Sequence, residues 1–229
     1  MATRPVFKPS DKFPYVTEEI VEFKWHAGFS ASQKQKSVQE LHAKILESSL
    51  GTKPLEVSSK SALELGVSLS AFNLKVNFPS GNMIAVENIF QASKVFENGG
   101  PFKDLLQVSA IEAKRDKRLK ESGELVQFKG NGISWPLEPK TLFYDWVYLN
   151  ALHRNRDLVG AAQGFDCFTD IEFNPNKSFS CQARSLALYI SLYKAGYIDL
   201  LLSNSDKFKS FFVISENGLD SVATQLSLI

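Results

Sequence analysis

Glu87, Gln91 and Lys94 recur at short intervals within Val86-Glu87-Asn88-Ile89-Phe90-Gln91-Ala92-Ser93-Lys94-Val95-Phe96. At about 100° per residue, a helix over Val86 to Phe96 puts all three in one narrow sector, with Asn98 joining them if the helix runs that far. Val86, Ile89, Phe90, Ala92, Val95 and Phe96 take the other directions, so the helix packs on several sides and its polar stripe faces a cleft. A carboxylate and an amine held together in a partly desolvated cleft cost free energy unless they pair or serve a ligand, and their pKa values shift accordingly. Periodicity alone reads equally well as an active-site pair or as a satisfied polar seam in which Gln91 links the two charges.

Other residues offer narrower chemistry. Lys114, Arg115, Lys117, Arg118 and Lys120 concentrate positive charge in a helical segment from Glu112 to Lys120. Most such runs are solvated faces, but Lys114 and Arg115 are the two best suited to hold a pyrophosphate or DNA phosphates. Arg184, near the start of its helix, is a lesser phosphate contact. His26, His42 and His153 are scattered, and Cys167 and Cys181 form no Cys-x-x-Cys pair, so neither a metal nor any other cofactor is expected. Gly99-Gly100-Pro101 follows the central helix, where it suits a turn better than a phosphate cradle.

These residues need a scaffold, and the composition allows one. The chain has 229 residues, 44 % of them hydrophobic, with 18 Phe, enough for a sizeable core without disulfides. Its formal net charge of +1 argues against coating nucleic acid by bulk electrostatics but leaves room for a local basic patch. No signal-like or membrane-length apolar run occurs, so a cytoplasmic protein without membrane contact is expected.

Val21, Phe23 and Trp25 alternate with polar residues as in a half-buried strand, and a surface helix follows from Ser32, with Val38, Leu41 and Ile45 on its inner face. Pro54 closes this N-terminal unit. Leu69 to Val76 reads as a strand, Pro79-Ser80-Gly81-Asn82 as a turn and Met83 to Ala85 as the returning strand. Leu125 to Phe128 and Ile133 to Trp135 flank the hairpin turn Lys129-Gly130-Asn131-Gly132. Pro139 opens a core-facing helix to about His153. After a loop from Phe165 to Lys177, Ser180 caps a helix from Cys181 to Lys194 that Gly196 ends, and further helix follows. The expected fold class is α+β, mainly helical: a single compact domain over 59–229, with a few short strands and a strand-helix extension over 1–58 packed on it.

Leu69-Ser70-Ala71-Phe72-Asn73-Leu74 followed by Val86-Glu87-Asn88-Ile89-Phe90-Gln91-Ala92-Ser93-Lys94 resembles, in order and spacing, the paired opening motifs of the NADAR, or YbiA-like, family. Trp135 ahead of a long helix, and Thr169-Asp170-Ile171-Glu172-Phe173-Asn174-Pro175, look like two further blocks of that family. The resemblance covers about residues 69 to 195. With Phe23-Lys24-Trp25-His26 and Gln33-Lys34-Gln35-Lys36-Ser37 included, the whole chain looks like the subgroup of antitoxins encoded beside DarT-type toxins. The chain departs from the wider family at Phe173-Asn174-Pro175 and at Cys181-Gln182-Ala183-Arg184, where a pocket could be reshaped for another substrate.

The resemblance implies an N-glycosyl hydrolase that removes ADP-ribose from guanine in DNA, with ADP-ribose as product and a DarT-type toxin as functional partner. Cleavage develops oxocarbenium character on the ribose and negative charge on the base. Lys94 is then the expected nucleophile, forming a Schiff base with the opened ribose, and Glu87 its proton-transfer partner, with Asp170 the other available carboxylate. Phe72 and Trp135 could stack on a base, and Asn73, Asn88, Gln91, Lys114, Arg115 and Arg184 complete the expected binding set. Two alternatives stay open: an N-glycosidase for a ribosylated intermediate of riboflavin synthesis, and a non-catalytic module that binds ADP-ribose or the toxin.

Overall fold

The structure, a computed structural model, describes residues 1–28, 30–78 and 81–216. Strands β1 (Ala2–Pro9) and β2 (Val16–Phe23) pair antiparallel along their whole length. The alternation around Val21 and Phe23 is thus a strand, but it ends at Phe23. Trp25 lies beyond, covered by the cations of Arg4 and Lys34. Helix α1 (Ala31–Glu47) is capped by Ser30, whose side chain accepts from the Gln33 N–H, and it buries Val38, Leu41 and Ile45 on the sheet. Strand β3 (Pro54–Glu56) runs parallel to a strand from far along the chain, β9 (Cys167–Thr169), which also meets β1 at Val6 and Phe7. The sheet order β2-β1-β9-β3 therefore continues across position 58 and sets Glu56 beside Thr169.

Helix α2 (Glu64–Ser68) leads into a buried turn, not the strand expected from Leu69. Ser70 Oγ and Asn73 Nδ2 both donate to the Val67 carbonyl and hold the chain in that turn. Only β4 (Lys75–Asn77) is extended, and it pairs with β5 (Met83–Ala85). Of the expected turn between them, Pro79 and Ser80 lie outside the described residues.

The central helix is shorter than its polar stripe implies. Helix α3 spans Val86–Ala92, and Ser93 folds its hydroxyl back onto the Ile89 carbonyl. Lys94–Phe96 form strand β6, so Lys94 is not a helical residue and Asn98 joins no stripe. Val95 and Phe96 favour a strand once an edge is available, and β7 (Leu125–Gly130) supplies that edge with Lys94 opposite Phe128. β7 continues into β8 (Ile133–Trp135) through Asn131 and Gly132, both at positive φ (49° and 79°) as a two-residue hairpin turn requires.

The charged segment is broken into α4 (Ala110–Arg115) and α5 (Arg118–Glu121). The break falls at Asp116, whose carboxylate accepts from the Arg118 N–H and guanidinium. Helix α6 (Leu142–His153) begins three residues after Pro139, and α7 (Arg156–Ala162) follows it. Helix α8 (Gln182–Lys194) has Cys181, not Ser180, at its N-cap, and Cys181 makes no side-chain cap bond. Helices α9 (Ile198–Leu202) and α10 (Ser205–Glu216) complete the described chain, and 217–229, part of the expected further helix, lie outside it. One face of the four-stranded sheet carries α1 and the other α8; α6 packs on α8, and α3 on α6. This stacking brings the start of α3 and the loop after β9 to neighbouring parts of the core.

Candidate functional site

Two backbone bonds organise the site. The Glu87 N–H donates to the Ala71 carbonyl (2.9 Å), and the Ala71 N–H donates to Gln182 Oε1 (2.6 Å). The Gln182 side chain also hydrogen-bonds Asp170. One turn residue, Ala71, thereby ties the helix bearing Glu87 to the loop bearing Asp170, with Phe72 next in the chain.

Glu87 is only 5 % exposed. Its Oε1 accepts from Gln91 Nε2 at 2.8 Å, and the Lys114 ammonium stands 3.8 Å away. The expected bridge from Glu87 through Gln91 to Lys94 is thus half realised: among the described residues the ion-pair partner of Glu87 is Lys114. Lys114 also lies 4.9 Å above the Phe72 ring. Lys94 arrives from β6 with its amine 4.9 Å above the Phe90 ring. Burial holds that amine below the ordinary lysine value; the charge of Glu87 opposes the shift, and that of Lys114 adds to it. Gln91 Oε1 is buried without a hydrogen-bond partner among the described residues.

Asp170 is buried, its Oδ1 accepting from the Glu172 and Phe173 N–H groups. Behind it sits Glu56, an unexpected second buried carboxylate. Glu56 Oε2 accepts from Thr169 Oγ1 (2.7 Å), and its Oε1 accepts from the Ile171 N–H (2.9 Å) and Ser58 Oγ (2.6 Å). It therefore clamps the residues on both sides of Asp170. Burial raises both carboxyls well above the ordinary range; the charge of Asp170 adds to the shift of Glu56, and that of Glu172 to the shift of Asp170. Tyr144 on α6 lies between the two halves: burial raises its phenol far above the usual value, with the charges of Glu87 and Asp170 adding to the shift.

The remaining expected residues are placed differently. Asn88 donates to the Leu105 and Val108 carbonyls, which spends both amide protons on holding the loop before α4. Trp135 is 2 % exposed and packs against Phe143, Trp146 and Phe208, in the aromatic core. Arg184 is paired with Asp145 at 2.9 Å and lines a separate cleft of about 420 Å³ beside Phe173 and Phe179. Arg115 is exposed at the end of α4. Asn73 faces a second cleft, of about 580 Å³. Phe72, Glu87, Gln91, Lys94 and Lys114 thus converge, and Asp170 joins them through Gln182 and Tyr144.

Glu56, Tyr144 and Gln182 escaped the sequence reading. A signal existed for Glu56, a lone carboxylate between Leu55 and Val57, both fully buried. Among the described residues no group of three or more His, Cys, Asp or Glu is arranged to hold a metal ion, and no helix is long and apolar enough to cross a membrane.

The fold is a layered α+β domain in which α3 and β6 set the buried Glu87 in the field of the half-buried Lys94 amine. The chain matches the family model of DarT1-associated NADAR antitoxins over residues 2–220 and belongs to that family. No curated protein matches it. Family membership supports the antitoxin role and a functional link to a DarT1 toxin.

Proposed function

We propose that the protein hydrolyses the N-glycosidic bond joining ADP-ribose to guanine in DNA, and so reverses the modification made by its toxin. The observation that carries this reading is the Lys94 amine, held below its ordinary pKa by burial while lying in the field of a desolvated Glu87. In its neutral form Lys94 attacks the anomeric carbon of the ribose, forming a carbon–nitrogen bond as the bond to guanine breaks. The proton lost by the attacking nitrogen passes by way of Glu87 to the departing guanine nitrogen. Ring opening leaves a Schiff base on Lys94. Water then adds to it, releasing ADP-ribose and restoring the amine.

The groups around this pair fit the other needs of the reaction. Lys114, beside Glu87 and exposed on its far side, can meet a phosphate of the ADP-ribose. Phe72 offers a ring to a base, and the unpartnered Gln91 oxygen offers an acceptor to a ribose hydroxyl or a guanine amine. Incubation with DNA carrying ADP-ribosylated guanine should release free ADP-ribose and unmodified DNA. Release from a ribosylated pyrimidine but not from DNA would move the activity to riboflavin-type chemistry, and tight ADP-ribose binding without release would make the chain a binding module.

A further inference from the structure

The cleft beside Asn73 is built from β4 and the junction of α6 and α7, a pairing that sequence patterns did not indicate. Asn155 Nδ2 donates to the Lys75 carbonyl (3.2 Å) and to the Ala151 carbonyl (2.7 Å), and Arg154 Nη1 donates to the Asn77 carbonyl (2.9 Å). These bonds fix the strand to the helix junction and form a cleft of about 580 Å³. Lys75, Arg154 and Arg156 line it, against the single carboxylate of Asp157. Arg156 is 59 % exposed; its Nη2 lies 3.2 Å from His153 Nε2 and pairs loosely with Asp199 at 3.8 Å, outside the cleft, which leaves the rest of its guanidinium for a phosphate. On a chain with a net charge of only +1, three cations around one cleft are a local concentration.

Its position gives the charge a purpose. Asn73 lines the cleft, while the preceding residue, Phe72, has its ring under Lys114 at the Glu87 site. The cleft and the Glu87 site thus meet at two consecutive residues of one turn. A guanine carried in a polymer arrives with phosphates on either side, and these need cationic partners near the site.

We infer that the cleft lined by Lys75, Arg154 and Arg156 binds the phosphate backbone of the DNA strand flanking the modified guanine. This rests on the glycosidase reading for its choice of substrate, but it is tested without it. Arg154 also supports the backbone at Asn77, so the informative variant is Lys75→Ala with Arg156→Ala, two exposed side chains whose loss leaves the cleft walls in place.

The binding of a fluorescein-labelled, unmodified single-stranded DNA oligonucleotide to the full chain, followed by anisotropy over a range of salt, tests the inference. Wild type should bind in a salt-dependent manner, and the double variant should bind more weakly, its log-log salt slope smaller by about 1.4 for two lost contacts. Equal affinity and slope for variant and wild type, or no binding by wild type, would overturn it; so would tighter binding of RNA of the same sequence. In the hydrolysis arm, the variant should keep wild-type activity on ADP-ribosylated guanosine while its KM rises on a modified oligonucleotide. If wild type bound the oligonucleotide through these residues but released ADP-ribose from neither substrate, the glycosidase reading would fall and the cleft assignment would stand.

Discussion

At the scale of single residues, Lys114 is the informative group, because it touches both charges of the proposed mechanism. It pairs with Glu87 and lowers the pKa of Lys94. A lysine nucleophile acts only when neutral, so the rate should rise with pH and level off above the depressed pKa of Lys94. Removing the neighbouring cation in Lys114→Ala lets that pKa climb, and the rising limb of the kcat profile should move to higher pH. The Lys114 side chain is 55 % exposed but that of Glu87 only 7 %, so the variant should also lose stability, by roughly 1 kcal/mol or somewhat more, because a buried carboxylate is left without its cation. An unshifted limb, with activity intact, would show that Lys94 does not titrate in the reaction. Glu87, Gln91 and Lys94 were legible because a carboxylate, an amide and an amine amid apolar neighbours stand out in one dimension. Their pairing was not, because Lys114 lies on a different element and no local spacing links it to Glu87.

At the scale of elements, the decisive event is the end of α3 at Ala92. Helical periodicity continues through Phe96 in the sequence, yet β7 offers an edge that only the folded chain provides, and Lys94 leaves the helix for that edge. The site is therefore made by a helix and a strand joined at Ser93, which gives Lys94 a direction independent of the Glu87 face. Gly100 protects this arrangement. Its φ is +86°, and a Cβ there would overlap the Lys94 carbonyl oxygen. Gly100→Ala should lower stability by more than about 1 kcal/mol in denaturant unfolding and reduce kcat through displacement of Lys94. Wild-type unfolding and kinetics from that variant would deny β6 its positioning role. The hairpin at Asn131-Gly132 and helix α1 were readable because their signals are local: a turn pair, a cap and an amphipathic face. β1 and β9 were not, since β1 carries two prolines and β9 is a three-residue strand whose identity depends on the neighbours it meets.

At the scale of the whole molecule, the buried Glu56–Asp170 pair joins the N-terminal strands to the site and should leave a mark on global stability. Both groups have folded pKa values raised above those of the unfolded chain. The folded state therefore binds more protons than the unfolded state between the two values, and stability is lost as pH rises through that window. His42 acts in the opposite sense, because burial lowers its pKa to about 4, and it adds stability as pH rises from there to the ordinary histidine value. Above about pH 7 the His42 contribution is complete and the carboxylate contribution alone continues to fall. Wild type should lose melting temperature over that upper range more steeply than Glu56→Gln, whatever the absolute cost of disturbing the donors around Glu56. Parallel slopes would mean that the pair is already ionised at neutrality. The α+β class and the family membership were legible from composition and from motifs spread along the chain. The link from Glu56 to Asp170 was not, because it spans more than a hundred residues and exists only where β3 lies against β9.

The central claim is that Lys94 forms a covalent bond with the ribose during hydrolysis, and borohydride trapping tests it most directly. Wild type, Glu87→Gln and Lys94→Ala would each turn over DNA bearing ADP-ribosylated guanine in the presence of the reductant, followed by mass spectrometry of the digested protein. Wild type should carry an ADP-ribose adduct on the peptide containing Lys94, Glu87→Gln should release ADP-ribose slower by about 10² to 10⁴, and Lys94→Ala should neither turn over nor trap. Full turnover by Lys94→Ala, with no adduct on the wild-type chain, would contradict the account.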